Sequence, residues 1–324
     1  MPLNRRPPVA KPPSPEQVLE LLERGEISPT EAFALWRRLD RPEALEPAPS
    51  PAPRVEEIMR ELDALVGLGQ VKRLVREIQA FVSIQARRAR EGLVSEPMVL
   101  HMIFRGNPGT GKTTVARLLG KILRESGVLE KGHVVEVERA DLVGEYIGHT
   151  AQKTREQLRR ALGGILFIDE AYSLARGGDK DFGREAIDTL VKAMEDQKRD
   201  LILILAGYQR EMSGFLHANP GLRSRFPLHL DFPDYTVEEL LAIADLMLRQ
   251  RQYRLDAEAR RQLARRVEEE RANPFTADNS GNARLVRNLI ERGMRRQASR
   301  LVEEGDLTRD QLMTIVPADL EGDD

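Results

Sequence analysis

The run Gly106-Asn107-Pro108-Gly109-Thr110-Gly111-Lys112-Thr113 fits the pattern GxxxxGK(S/T) at every fixed position. The chemistry of that combination is the cradling of a polyphosphate. Its glycines let backbone N–H groups turn toward phosphate oxygens, and the helix that should follow adds the positive end of its dipole. In such a loop Lys112 reaches the β- and γ-phosphates of a nucleoside triphosphate and the Thr113 hydroxyl ligates Mg²⁺. The expected binding stretch is thus Asn107, Pro108, Gly109, Thr110, Gly111, Lys112, Thr113 and Thr114. A second cluster, Asp169-Glu170, follows the apolar run Ile165-Leu166-Phe167-Ile168. Two carboxylates at the carboxyl end of a buried strand suit a division of labour in which Asp169 holds Mg²⁺ and Glu170 polarises the attacking water. That pair favours hydrolysis over binding alone. A third cluster is Asn219-Pro220-Gly221-Leu222-Arg223-Ser224-Arg225-Phe226-Pro227. Here an arginine can be carried at a subunit edge toward a neighbour's γ-phosphate, where its charge stabilises the transition state.

These residues need particular elements around them. The apolar segment Leu100-His101-Met102-Ile103-Phe104 reads as a buried strand entering the phosphate loop, and residues 114–123 read as an amphipathic helix leaving it. From Val55 to Phe232 helical and apolar strand-like segments alternate, as a parallel α/β sheet requires. The expected strands are residues 102–105, 134–137, 165–169, 201–206 and 228–232. After Pro233 the pattern turns helical: Thr236 and Glu239 form a capping box, and further helices are expected over residues 257–271 and 283–303. The fold class is α/β, a P-loop nucleotide-binding domain with a five-stranded parallel sheet flanked by helices, followed by a small all-α lid. Residues 55–235 and 236–324 are the two domains expected, the latter including a C-terminal tail. Ahead of them, residues 1–54 combine a disordered proline-rich start, a helical hairpin within residues 14–40 and a stiff, extended linker over residues 42–53.

The composition excludes several classes. Lys and Arg number 50 against 52 Asp and Glu, so no dominant polyanion-binding surface is implied and nucleic acid is not the leading partner. There is no cysteine, which rules out disulfides and thiolate chemistry and fits a reducing compartment, with the cytoplasm as the default. The five histidines show no metal-ligand spacing. The opening MPLNRRPPVAKPPSP lacks the apolar core of a secretory signal, and the apolar run LILILAG is too short to cross a bilayer. No membrane insertion is expected.

The order of these motifs, with the stretches GNPGTGKTTVARL, GHVVEVERADLVGEYIGHTAQKTREQL, GGILFIDEAYSLARGGDKDFGREAIDTLVKAMED and ILAGYQREM, resembles the AAA+ ATPases over about residues 55 to 318. Within them it is most similar to the subfamily of the stage V sporulation ATPases and the red-type Rubisco activases. The resemblance implies ATP and Mg²⁺ as cofactors, a homo-oligomer that is hexameric in its working state, a protein client and a role in endospore formation. It also implies residue roles. Val66, Gly67 and Leu68 match the segment that packs on adenine; Arg225 matches the arginine finger, with Arg223 as alternative or companion; Arg284, in Gly281-Asn282-Ala283-Arg284, matches the sensor 2 arginine. Tyr146, Ile147 and Gly148 match the aromatic pore loop that grips a polypeptide. Where the family places a sensor 1 Asn or Thr, this chain reads Ala206-Gly207-Tyr208, leaving Tyr208 in that place. The function implied is an ATP-driven protein remodeller. A nucleic-acid-directed motor shares the same core, but Glu145 beside Tyr146 would repel a phosphate backbone. A slow, nucleotide-gated scaffold that docks partners through residues 14–40 is the third reading.

Overall fold

The computed structural model describes residue 24 and residues 51–94, 99–146, 148–176, 181–198, 200–272, 281–304 and 307–321. Apart from Arg24, the hairpin expected within residues 14–40 lies outside the described residues, as do the linker up to residue 50 and Ile147. Residues 51–324 form one compact unit. It opens with α1 (Pro51–Asp63) and α2 (Gly69–Arg90). The proline-rich linker therefore gives way to helix at Pro51 rather than staying extended to residue 53. A proline in the first turn lacks only an N–H that has no partner there.

The α/β part continues as β1 (Met102–Gly106), α3 (Lys112–Glu125), β2 (Val134–Val137), α4 (Arg139–Leu142), α5 (His149–Ala161) and β3 (Gly164–Ile168). A short 3₁₀ turn over Ala171–Ala175 leads to α6 (Gly183–Asp196), β4 (Leu201–Gly207), α7 (Gln209–Ala218), α8 (Pro220–Arg225) and β5 (Leu228–Phe232). The five strands lie in the order β2-β3-β4-β1-β5, and every adjacent pair is parallel. All five strand positions expected from apolar patterning are occupied by strands.

Both faces of the sheet are covered, which is why its strands are continuous apolar runs rather than alternating ones. Side chains alternate strictly between the two cores. Met102, Phe104, Ile165, Phe167, Ile202 and Ile204 pack with Val71 and Val75 of α2 and Leu119 and Ile122 of α3. Ile103, Leu166, Ile168, Leu203 and Leu205 pack with Leu158 of α5, Leu190 of α6 and Phe215 of α7. A parallel sheet held from both sides fixes the carboxyl ends of β1, β3 and β4 on one edge, where ligands of such sheets bind.

The chain then enters a helical part: α9 (Val237–Gln250), α10 (Ala257–Ala272), α11 (Ala283–Glu304) and α12 (Arg309–Met313). The Thr236–Glu239 capping box is formed in both directions. One small addition departs from an all-helical lid, a two-residue parallel pairing of β6 (Arg254–Leu255) with β7 (Thr314–Ile315). The first core runs through the connection without a break, since Tyr235, Leu240, Leu263, Val286 and Ile290 belong to it.

Candidate functional site

The phosphate loop leaves β1 at Gly106 and feeds α3 through Gly109 (φ 73°) and Gly111 (φ 96°). These are left-handed conformations that glycine adopts without penalty. Gly109 also has no room for a side chain, because a Cβ would sit 2.7 Å from the Gly281 carbonyl oxygen and 2.9 Å from the Arg284 nitrogen. The loop is closed on itself: Lys112 Nζ donates to the carbonyls of Gly106 (2.8 Å) and Asn107 (2.9 Å), and Thr110 Oγ1 donates to the Asn107 carbonyl at 2.8 Å. Burial pulls the Lys112 ammonium below its usual pKa, with Asp169 opposing that shift and Arg284 adding to it. A triphosphate arriving there meets a desolvated cation in a ring of backbone dipoles, where electrostatic interactions are strongest.

The loop faces a cavity of about 1150 Å³. Gly106, Pro108, Gly109, Gly111, Lys112, Thr113 and Thr114 line it, together with Asp169, Glu170, Tyr208 and Arg284. Val66 and Leu68 line it as well, beside Ile243, Leu246 and Met247 of α9, an apolar wall suited to a flat heterocycle. Gly67, Asn107 and Thr110 are not among the residues that line it, and each makes contacts within the scaffold. Gly67 takes a left-handed turn (φ 63°) against Glu239 and Tyr235. Thr110 is fully buried, and Asn107 Nδ2 is held by the Asp234 carboxylate at 2.9 and 3.0 Å.

Asp169 and Glu170 follow β3. The Asp169 N–H donates to the Val137 carbonyl (2.9 Å), and Asp169 Oδ1 accepts from the Glu170 N–H at 3.0 Å. Glu170 sits in a left-handed conformation (φ 47°), sparsely populated for a side-chain-bearing residue and most often retained at functional sites. The donor set fits a hard divalent cation: the Thr113 hydroxyl and Asp169 carboxylate supply oxygen, leaving substrate phosphates and water to complete an octahedron. Among the described residues no group of three or more His, Asp or Glu could hold a metal without that substrate. Tyr208 caps α7 and packs on Tyr172 (ring centroids 6.1 Å apart), with the Arg176 guanidinium 4.7 Å from the Tyr172 ring centre.

Three residues to which the sequence reading assigns no role complete the cavity's frame. Asn282, buried at the start of α11, donates through Nδ2 to Asp234 (2.7 Å) and to the Pro108 carbonyl (3.3 Å), and its Oδ1 accepts from the Tyr235 N–H at 2.9 Å. Tyr235 Oη donates to the Thr110 carbonyl at 3.0 Å, and burial, then Glu239, pushes its pKa up to about 12. Asp234 joins Asn107 of the loop to Asn282 of the lid. The partners are remote in sequence, so no spacing rule could have pointed to them.

Between β2 and α5 the chain lines the same cavity with Glu138, Arg139, Ala140, Val143, Gly144 and Glu145. Three side chains of α5 grip this segment. Thr150 Oγ1 accepts from the Gly144 N–H (2.9 Å), Thr154 Oγ1 donates to the Leu142 carbonyl (3.1 Å), and Lys153 Nζ donates to the Ala140 and Val143 carbonyls, both at 3.3 Å. Tyr146 then stands 66% exposed, in edge contact with the His149 ring at 5.5 Å. Gly148 (φ 84°) turns the chain into α5. Arg225 is not among the cavity residues. It ends α8, half-buried, with its guanidinium on Glu195 and the Gly221 carbonyl; Arg223 is exposed.

Residues 102–234 match the model of the ATPase family associated with various cellular activities (AAA), and residues 236–324 match that of the AAA lid domain. The chain is 55% identical over 266 residues to stage V sporulation protein K of Bacillus subtilis (strain 168), covering 82% of each. It is 49% identical to a protein CfxQ homolog of Guillardia theta, covering 82% of this chain and 91% of that one. It is 45% identical to the chloroplastic ribulose bisphosphate carboxylase/oxygenase activase of Cyanidioschyzon merolae (strain NIES-3377 / 10D), again covering 82% and 91%. A solved point variant of Thermotoga maritima RuvB shares the fold at 22% identity and a TM-score of 0.51, over 80% of this chain and 69% of that one.

Proposed function

Since this chain belongs to the AAA+ ATPases and is an ATP-hydrolysing enzyme, we propose that it works in the cytoplasm as a homo-oligomeric ring, hexameric when active, that remodels a protein client. The observation that carries this reading is the segment Glu138–Glu145, which lines the cavity of Asp169 and Glu170 and ends beside an exposed Tyr146. An aromatic side chain at a loop tip offers rigid, sequence-tolerant contact area, which a motor acting on varied peptide segments needs. No core packing of Tyr146 competes with that use, and Glu145 beside it disfavours a nucleic acid in the same place.

In this reading Lys112 holds the β- and γ-phosphates. Thr113 and Asp169 hold Mg²⁺, which screens the phosphate charge when bound. Glu170 orients water, Arg284 links the lid to the phosphates, and Val66 and Leu68 pack on adenine. Arg225 lies outside its own subunit's cavity, which supports its action on a neighbour's γ-phosphate and hence a ring. The name of the 55% identical relative supports a role in endospore formation.

The test traps a client. A Glu170→Gln protein, which should bind ATP without hydrolysing it, is incubated with ATP in a lysate, beside a Glu170→Gln/Tyr146→Ala protein of the same oligomeric state. Polypeptides retained by the first and lost from the second are then purified and assayed for remodelling by the wild-type protein. Tyr146→Phe should remodel them and Tyr146→Ala should not, while basal ATP turnover survives in both. Full remodelling by Tyr146→Ala would remove the reading's main support.

A further inference from the structure

The backbone around Arg225 is fixed by its neighbours. Leu222 and Phe226 are buried, the Phe226 N–H donates to the Leu222 carbonyl at 3.2 Å, and the Phe226 ring lies 5.8 Å from that of His101. Burial does not fix the side chain, which is 35% exposed and, when unpaired, samples many rotamers. It is instead held by three hydrogen bonds. Nε donates to Glu195 Oε1 at 3.0 Å, Nη2 donates to the same oxygen, and Nη1 donates to the Gly221 carbonyl at 2.9 Å. Arg223, two residues earlier, has no such clamp among the described residues. A guanidinium carries five N–H groups in a rigid fork, so one on each terminal nitrogen is left over.

We propose that Glu195 is the positioning residue of Arg225: it locks the guanidinium so that the two remaining N–H groups face outward, ready for the γ-phosphate of the adjoining subunit. The inference rests on the reading of Arg225 as a finger acting between subunits. Stability does not explain the pair, because ion pairs this exposed contribute little to folding. Orientation does. A charge that must meet a transferring phosphoryl group acts at full strength only if no reorganisation is left to do at the moment of reaction, and misplacement by about 1 Å can lower a rate about 100-fold. Glu195 Oε1 accepts two of the bonds. A neutral amide oxygen in the same place could accept the same two bonds, though more weakly.

The experiment compares full-length Glu195→Ala, Glu195→Gln, Arg225→Ala and Glu195→Ala/Arg225→Ala, measuring ATP turnover at saturation, nucleotide affinity, oligomeric state and Tm. Glu195→Ala should lower kcat by about 10- to 100-fold with affinity, assembly and Tm unchanged. Glu195→Gln should retain most of the turnover, and adding Glu195→Ala to Arg225→Ala should cost nothing further. Wild-type turnover in Glu195→Ala beside a dead Arg225→Ala overturns the role of Glu195 and leaves the finger standing. Faster turnover in Glu195→Ala also overturns it, because the contact would then be a latch. Loss of assembly, affinity or Tm in Glu195→Ala overturns it in favour of a structural role. Full activity of Arg225→Ala overturns the finger itself, an outcome read from a different protein.

Discussion

Asn282 begins α11 in a left-handed conformation (φ 62°), and its amide joins the lid to Asp234, Tyr235 and the phosphate loop. Replacing it by Ala and by Gly separates two contributions. Both substitutions leave the buried Tyr235 N–H without its acceptor, which costs about 1 to 3 kcal/mol. The exposed Asp234 carboxylate loses one donor but gains water and keeps Asn107, so that loss is roughly 0.5 to 1 kcal/mol; the 3.3 Å contact to Pro108 adds little. Ala alone must also hold a conformation that Asn tolerates and Gly adopts freely, at about 1 kcal/mol more. The expected destabilisation is therefore roughly 1.5 to 4 kcal/mol for Asn282→Gly and about 1 kcal/mol more for Asn282→Ala.

The assay is urea unfolding of both variants beside the wild type, with ATP affinity measured on the same preparations. Affinity should fall in both, because the Asn282 amide ties the start of α11, which lines the cavity through Ala283 and Arg284, to Asp234 and Tyr235. If both variants unfold within about 0.5 kcal/mol of wild type, a range typical of surface changes, the bridge does not hold the lid. If Asn282→Ala is as stable as Asn282→Gly, the argument from its left-handed backbone fails.

Lys112→Ala should greatly weaken ATP binding, whereas Glu170→Gln should bind ATP normally and not turn it over; near-native affinity in Lys112→Ala would sink the phosphate-loop assignment. Arg225→Ala should keep nucleotide affinity and lose most turnover, by about 10³- to 10⁵-fold if it behaves as other fingers do. Mixing Arg225→Ala with Glu170→Gln subunits should restore some activity, and an inactive mixture with demonstrated subunit exchange would place Arg225 in cis or outside the chemistry. His101 is buried, its Nδ1 accepts from the Leu203 N–H, and burial lowers its pKa from 6.5 to about 4 against a smaller opposing pull from the Met194 backbone. Between those values the unfolded chain binds a proton that the folded chain does not. Stability present above pH 6.5 is thus lost as pH falls toward 4, by about 3 kcal/mol in all. Unfolding midpoints across that range should slope less in His101→Gln, and equal slopes would refute the assignment.

The α/β sheet was legible because covering a parallel sheet on both faces demands unbroken apolar runs, and residues 165–168 and 201–206 are such runs. The phosphate loop was legible because it is a local solution: its glycines, Lys112 and Thr113 sit within eight positions. The frame of the cavity was not. Asp234 and Asn282 look like any polar residues flanking helices, and they acquire their roles only when folding brings the phosphate loop, the connection between β5 and α9 and the start of α11 together. Gly67, Asn107 and Thr110 show the converse. They lie inside motifs expected to touch nucleotide, and their side chains or turns also make scaffold contacts that the motifs do not announce, because a motif fixes the path of a backbone and not the direction of every residue on it.

The path from Glu170 to Tyr146 suggests where motion would enter. Leu142 is fully buried, and Thr150 and Thr154 grip the backbone on either side of the next turn with hydrogen bonds of 2.9 and 3.1 Å. Lys153 reaches the same turn at Val143, and α4 at Ala140, by two 3.3 Å bonds from an exposed position. Short bonds from buried hydroxyls resist shear, whereas long bonds from an exposed ammonium exchange readily with water. A rearrangement beside Glu170 would therefore carry α5 and the Leu142–Gly144 turn as one piece, with the Lys153 bond to the Ala140 carbonyl, outside that turn, the contact that yields. The displacement would be delivered at the exposed end of that piece, where Tyr146 stands with no core packing to absorb it.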